Sequence, residues 1–234
     1  DITGSTIKVL RSCRKLATVS LGKTNFHSKY LNELKLLPIS SLNLSTLNIS
    51  DRDLNPLLSM PLRSICLDDT MVTDKGVAKL AESRNFLNEL FLNGCKNVNG
   101  DFLKTRKSLI DLRVLNLRNS GTRKANLEHI SKLKKLMVLD LSQLPVNDHD
   151  LGSILKLPIQ ELSLDDTEIT DKGLLKLAML RTLKYLNLKE CKNLSEDGVK
   201  ALQAQIPHCK LTFLIDKNNQ KEQAVFENAV DMKH

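Results

Sequence analysis

The sequence holds little that points to a membrane, a metal or a disulfide framework. No apolar run approaches the roughly 18 residues that a membrane span needs. The cysteines are five, Cys13, Cys66, Cys95, Cys191 and Cys209, an odd number with no C-x-x-C pair. That spacing argues against zinc and for buried, reduced thiols in a cytosolic protein. Tryptophan is absent and aromatics are 3% of the chain. No phosphate-binding glycine loop stands out, because Gly76, Gly173 and Gly198 recur once per repeat at helix starts. What is present is leucine and isoleucine throughout, 26% charged residues and a formal net charge of +8. A chain of 234 residues is long enough to bury a core without crosslinks.

The apolar residues are ordered. The pattern L-x-x-L-x-L begins at Leu16, Ile39, Leu62, Leu87, Leu112, Leu136, Ile159 and Leu183, with a terminal variant at Ile206. The steps are 23, 23, 25, 25, 24, 23, 24 and 23 residues. Within each pattern, pairs such as Leu162 and Leu164 alternate with Ser163 and Asp165, which predicts a short strand with one buried face. The following segment, such as Thr170 to Leu177, carries apolar residues at helical spacing, with Thr170 expected as an N-cap and Asp171 in the first turn. One strand and one helix cannot bury their own apolar faces, whereas stacked copies can.

On these residues the chain resembles the leucine-rich repeat family, over residue 2 to about 215. The resemblance implies an α/β solenoid with a parallel sheet on the concave side and helices on the convex side. Thr70, Cys95, Thr167 and Cys191 stand where many such repeats have asparagine. Thr73-Asp74-Lys75-Gly76-Val77 is similar to the T-D-x-G-[L/V] repeats of bacterial proteins, and the cysteines resemble those of F-box adaptors. Leu47 and Leu144 depart from the pattern, because a leucine there cannot bond the neighbouring loops.

A longer period is also visible. Leu42-Asn43-Leu44-Ser45 matches Leu139-Asp140-Leu141-Ser142, and Leu67-Asp68-Asp69-Thr70 matches Leu164-Asp165-Asp166-Thr167, both at an offset of 97. Four repeats look duplicated as a block inside one continuous solenoid, residues 1–215. The spacing of Ile2, Ile7, Leu10, Cys13 and Leu16 matches the second half of a repeat, so the solenoid is expected to start mid-repeat. Residues 216–234 read as a tail or as a capping helix with Val225, Phe226, Ala229 and Val230 on one face.

Catalysis finds little support. The histidines, His27, His129, His149, His208 and His234, are dispersed. Asp148-His149-Asp150 has Asp51-Arg52-Asp53 as its duplicate, so the shared feature reads as a polar, helix-starting loop. The pairs Asp68-Asp69 and Asp165-Asp166 lie four strands apart, about 19 Å, too far for paired glycosidase carboxylates. Two adjacent side chains also fall short of a six-oxygen cation site. No enzyme, metal or cofactor is expected.

Charge is concentrated. Between Lys104 and Leu136 stand ten basic residues: Lys104, Arg106, Lys107, Arg113, Arg118, Arg123, Lys124, Lys132, Lys134 and Lys135. Only Asp111 and Glu128 oppose them, a surplus of +8 that equals the charge of the whole chain. The block reads either as solvated loops and convex faces or as a site for an acidic partner, nucleic acid or anionic lipid. It has no aromatic for base stacking, which favours the first.

The concave face reads as the functional surface. Its outward residues are the third, fifth and seventh of each L-x-x-L-x-L-x unit. Phe91, Val114 and Val138 are expected to form an apolar island on consecutive strands, with Tyr185 further along and Glu89, Arg118, Asp140, Glu161 and Lys189 setting selectivity. The expected function is therefore a non-enzymatic protein-binding module, with anion binding through residues 104–135 as the alternative. The resemblance implies the recognition part of a larger protein, such as a ubiquitin-ligase adaptor or a bacterial effector. It would lie in the bacterial cytoplasm, or in the host cytosol if delivered.

Overall fold

The alternation of apolar and polar residues produces strands of three residues, β1 Thr18–Ser20, β2 Ser41–Asn43, β3 Ser64–Cys66, β4 Glu89–Phe91, β5 Val114–Asn116, β6 Val138–Asp140, β7 Glu161–Ser163 and β8 Tyr185–Asn187, followed by the longer β9 Lys210–Lys217. The structure is a computed structural model that describes residues 7, 9–83, 86–105, 109–217 and 220–225, with side chains, save that of Arg11, described up to 213. The nine strands form one parallel sheet in sequence order. β10, Gln220–Val225, then turns back antiparallel on β9. The start of the expected tail is thus a hairpin strand. Phe226, Ala229 and Val230, on which a capping helix would depend, lie outside the described residues, as does the first half of the expected mid-repeat start.

The second residue of each strand points into one continuous core. Leu42, Ile65, Leu90, Leu115, Leu139, Leu162 and Leu186 stack along its length, and the helix-side leucines close it from behind. The convex side is mostly single turns. Among the described residues only α2 Asp74–Glu82 and α5 Glu196–Gln205 exceed two turns, while α1 Leu31–Leu34, α3 Lys124–Leu127 and α4 Asp171–Lys176 are shorter. Repeats of 23–25 residues leave little chain for a helix once the strand and two loops are made. Among the described residues no helix is long and apolar enough to cross a membrane.

The chain leaves the sheet through the same left-handed turn in successive repeats. Lys23, Thr46, Asp69, Asn119, Gln143, Asp166 and Glu190 have φ between 51° and 62°, and Gly94 stands there with φ 71°. Non-glycine residues seldom adopt this conformation. Here the next repeat holds it, since Thr46 donates its N–H to Asp68 O at 2.8 Å and Gln143 does the same to Asp165 O at 2.8 Å. Below the turn, the Thr and Cys positions bond across repeats. Thr70 and Cys95 both donate to Leu67 O, at 2.6 and 3.0 Å, and Thr167 and Cys191 both donate to Leu164 O, at 2.7 and 3.0 Å. Leu47 and Leu144 fill the same position with buried apolar side chains instead. Burial pushes the Cys66 and Cys209 thiols up to about 12, so both stay protonated and inert.

The T-D-x-G segments tie one repeat to the next, while Thr73 and Ser195 also cap their own helices by accepting the N–H of Lys75 and Gly198 at 3.2 and 3.0 Å. Thr170 is not an N-cap through its own side chain. Its hydroxyl donates to Asp148 Oδ2 at 2.6 Å, and its N–H donates to Asp148 Oδ1 at 2.8 Å, so the preceding repeat supplies the cap. Asp51 serves Thr73 in the same way, and Asp171 serves Ser195. The motif's glycine makes room for that carboxylate: a Cβ on Gly173 would stand 2.0 Å from Asp148 Oδ1. Asp148→Ala is therefore expected to lower stability by about 1–3 kcal/mol, the cost of stranding a partly buried donor pair. Gly173→Ala expels the same carboxylate. In a urea-denaturation double-mutant cycle the two losses are expected to add to less than their sum; full additivity would mean they disturb separate contacts.

Candidate functional site

The inner face of the sheet carries three columns of side chains, the predicted outward positions. In the first, Glu89, Val114, Val138, Glu161, Tyr185 and Lys210 pair strand by strand in that order. Val114 and Val138 are side by side and half-exposed, framed by a glutamate on each flank. The Lys210 ammonium lies over the Tyr185 ring at 5.8 Å. In the middle column stand Asn43, Cys66, Phe91, Asn116, Asp140, Ser163 and Asn187. The third continues past the strands through Asp68, Asn93, Arg118, Ser142, Asp165 and Lys189.

The middle column is largely covered. Phe91 is 8% exposed and Asp140 is 4% exposed, because curvature crowds this column between its two neighbours. Phe91 therefore sits one column away from the Val114–Val138 pair and contributes less surface than either. Glu89, Arg118, Glu161, Tyr185 and Lys189 are half-buried and line the face.

A polar cluster occupies the second half of this face. Asn187 Nδ2 donates to Ser163 Oγ at 3.1 Å, and Ser163 Oγ lies 2.7 Å from Ser142 Oγ. Ser142 N–H donates to Asp140 Oδ1 at 2.9 Å. Arg118 reaches from beside β5 to beside β7 and bonds Asp165 Oδ2 at 2.9 Å. Ser142, Ser163, Asn187 and Asp165 are missing from the selectivity residues expected from sequence. The signal for them was the duplication: Asn43, Cys66 and Phe91 of the first block correspond to Asp140, Ser163 and Asn187 of the second. Cys66 and Phe91 are replaced by the polar Ser163 and Asn187, and the neutral Asn43 by the charged Asp140.

Burial pushes the Asp140 carboxyl above its ordinary range. Its hydrogen bonds from Ser142 and the Arg118 charge oppose this, while Asp165 adds to it. A raised folded-state value means that ionisation favours the unfolded chain. The penalty is absent below the unfolded carboxyl range, grows as pH rises from there toward the folded value and is full above it. Asp140→Asn keeps the acceptor for Ser142 and removes the charge. It is expected to raise Tm at pH 7 by about 2–4 °C, the effect of ~1 kcal/mol in a domain of this size, with the gain vanishing near pH 3. A lower Tm at pH 7 would show that the Arg118 attraction outweighs burial.

Among the described residues of the basic block, four cations are paired with carboxylates. Lys104 bonds Asp101 at 2.6 Å, Lys124 bonds Glu168 at 2.7 Å, Lys135 pairs with Asp111, and Arg118 is held by Asp165. Arg118 faces the concave side while Lys124 begins α3. Arg106 and Lys107 lie outside the described residues.

Stacked parallel strands, one per 23–25 residues, with repeated left-handed turns and cross-repeat polar ladders define a leucine-rich repeat solenoid. The family model described as "Leucine Rich repeat" matches residues 158–178 and 180–202. Two solved structures share the fold. One, the TLR13–ssRNA13 complex, is 20% identical with a TM-score of 0.64, and the match covers 87% of this chain and 30% of that one. The other, an internalin from Listeria monocytogenes, is 19% identical with a TM-score of 0.56, covering 92% of this chain and 63% of its own. The chain thus spans less than two thirds of either structure. No curated protein matches it.

Proposed function

We propose that the chain is a non-enzymatic protein-binding module that docks its partner on the concave face. The observation that carries this reading is the half-exposed Val114–Val138 pair, in register and framed by Glu89, Glu161 and Tyr185. A small apolar centre inside a charged rim is the arrangement of an interaction hot spot. Phe91 backs that centre, and Arg118, Asp140 and Lys189 add selectivity along its edge. The module acts as the recognition part of a larger cytosolic protein, of the effector or ubiquitin-ligase-adaptor kind, and five unpaired thiols fit a reducing compartment.

The TLR13 structure holds an RNA, which lends the basic block a nucleic-acid reading. The ion pairs of Lys104, Arg118, Lys124 and Lys135 weaken it, since they neutralise half of the eight described cations in the block. Affinity capture from lysate at low and moderate salt, with wild type beside Val138→Asp, separates the two. Proteins retained at moderate salt and lost with the variant support the concave face. Retention of nucleic acid or lipid at low salt only, indifferent to the variant, moves the site to the basic block.

A further inference from the structure

We propose that the concave face over β4–β7 takes a basic segment of the protein partner, with one cationic side chain of that segment neutralising the carboxylates of Asp140 and Asp165. This rests on the reading of the concave face as the docking surface and names the chemistry it selects.

Charge is the first argument. The chain as a whole carries +8, yet the twelve concave positions of β4–β7 hold four carboxylates, Glu89, Asp140, Glu161 and Asp165, and one cation, Arg118. The surface intended for contact has the sign opposite to the rest of the molecule. A field of that kind attracts basic partners and rejects acidic ones.

The second argument is that the fold does not need these charges. Asn43, the duplicate of Asp140, gives its Oδ1 to Ser45 N–H at 2.8 Å, just as Asp140 serves Ser142. Asn116 and Asn187 do the same for Arg118 and Lys189, at 2.9 and 3.2 Å. Three of four repeats make this turn with a neutral amide. Only Asp140 brings a buried charge to it, and burial disfavours that charge.

The third argument is an unfilled valence. Asp68, the duplicate of Asp165, uses Oδ1 to accept the Asn93 N–H at 2.8 Å. The matching N–H, that of Lys189, goes instead to Asn187 Oδ1, and Asp165 Oδ1 is left buried with no hydrogen-bond partner. Asp165 is 8% exposed, and its other oxygen holds Arg118. Lys189 flanks Asp165 in the same column, yet no ion pair joins them among the described residues. One guanidinium thus faces two buried carboxylates, which leaves one negative charge for an incoming group. Arg118, with 31% of its side chain exposed, is the most accessible charged member and the one that turns aside to admit it.

The test uses N-acetyl-argininamide as probe and its uncharged isostere N-acetyl-citrullinamide as control, titrated into the whole protein and followed by amide chemical shifts. The expected result is saturable movement of the Ser142, Ser163 and Asp165 signals with the arginine probe, no movement with citrulline, and at least about tenfold weaker binding to Asp140→Asn. Thermal melts verify that this near-isosteric variant is folded. Equal response to the two probes, or undiminished binding to Asp140→Asn, overturns the proposal. Protein capture that depends on Val138 without any arginine-probe response overturns only this inference. A specific probe response without such capture upholds it and overturns the wider reading.

Discussion

Val138→Asp is expected to weaken partner binding by at least ~2 kcal/mol, about thirtyfold. Val138 is half-exposed at the centre of the first concave column, between Val114 and Glu161. A carboxylate there removes half of the apolar centre and leaves a desolvated charge in the contact if the partner still docks. It also stands opposite Glu161, and like charges directly across a strand pair repel. Val138→Thr separates these effects, because it keeps the shape and the β-branching and only replaces one methyl by a hydroxyl. We expect Thr to lose several-fold and Asp to lose far more. Calorimetry or surface capture with the identified partner measures both, at 50 and 200 mM salt. A binding constant that falls by orders of magnitude between those salt concentrations, for both variants and wild type alike, is the mark of counterion release and would place the contact on the basic block. Phe91 is the less useful site for this test: at 8% exposure, a charge there would perturb the fold as well.

The second large effect is on stability. Leu139→Ala is expected to lower the unfolding free energy by about 2–5 kcal/mol. Leu139 is fully buried, paired in register with Leu115 before it and Leu162 after it. Those neighbours are held by strand ladders and by the cross-repeat turns, so they cannot collapse into the space left. In a solenoid each repeat touches only its neighbours, and weakening one interface uncouples the two sides. The urea transition of the variant is therefore expected to broaden or split, with the repeats before β6 and those after it melting apart. A loss under ~1 kcal/mol with a single sharp transition would mean that the core around β6 relaxes freely.

The two predictions draw on different kinds of position, and the sequence reveals them unequally. The second residue of each strand was legible because burial there repeats every 23–25 residues and needs only apolar identity. The inward Leu139 and the outward Val138 follow from the same alternation, and register did the rest. Exposure within the outward set was not legible. Phe91 and Asp140 are outward by pattern, yet covered by neighbours brought in from strands 23–25 residues away. Thr170 shows the same limit: as a lone Thr before an Asp it reads as an N-cap, while its actual partner is Asp148, 22 residues earlier.

By itself, the sequence determined the repeat, its period, the strand positions, the direction of each strand side chain and the internal duplication, because each of these depends on spacing along the chain. Tertiary structure alone decided which outward residues meet solvent, which carboxylate caps which helix, and which cations are neutralised. It also decided that Asp165 keeps a bare oxygen where Asp68 does not. The physical reason is one of distance. Burial, hydrogen-bond partners and charge pairing are set across repeats, where residues some two dozen apart in sequence lie one strand apart in space.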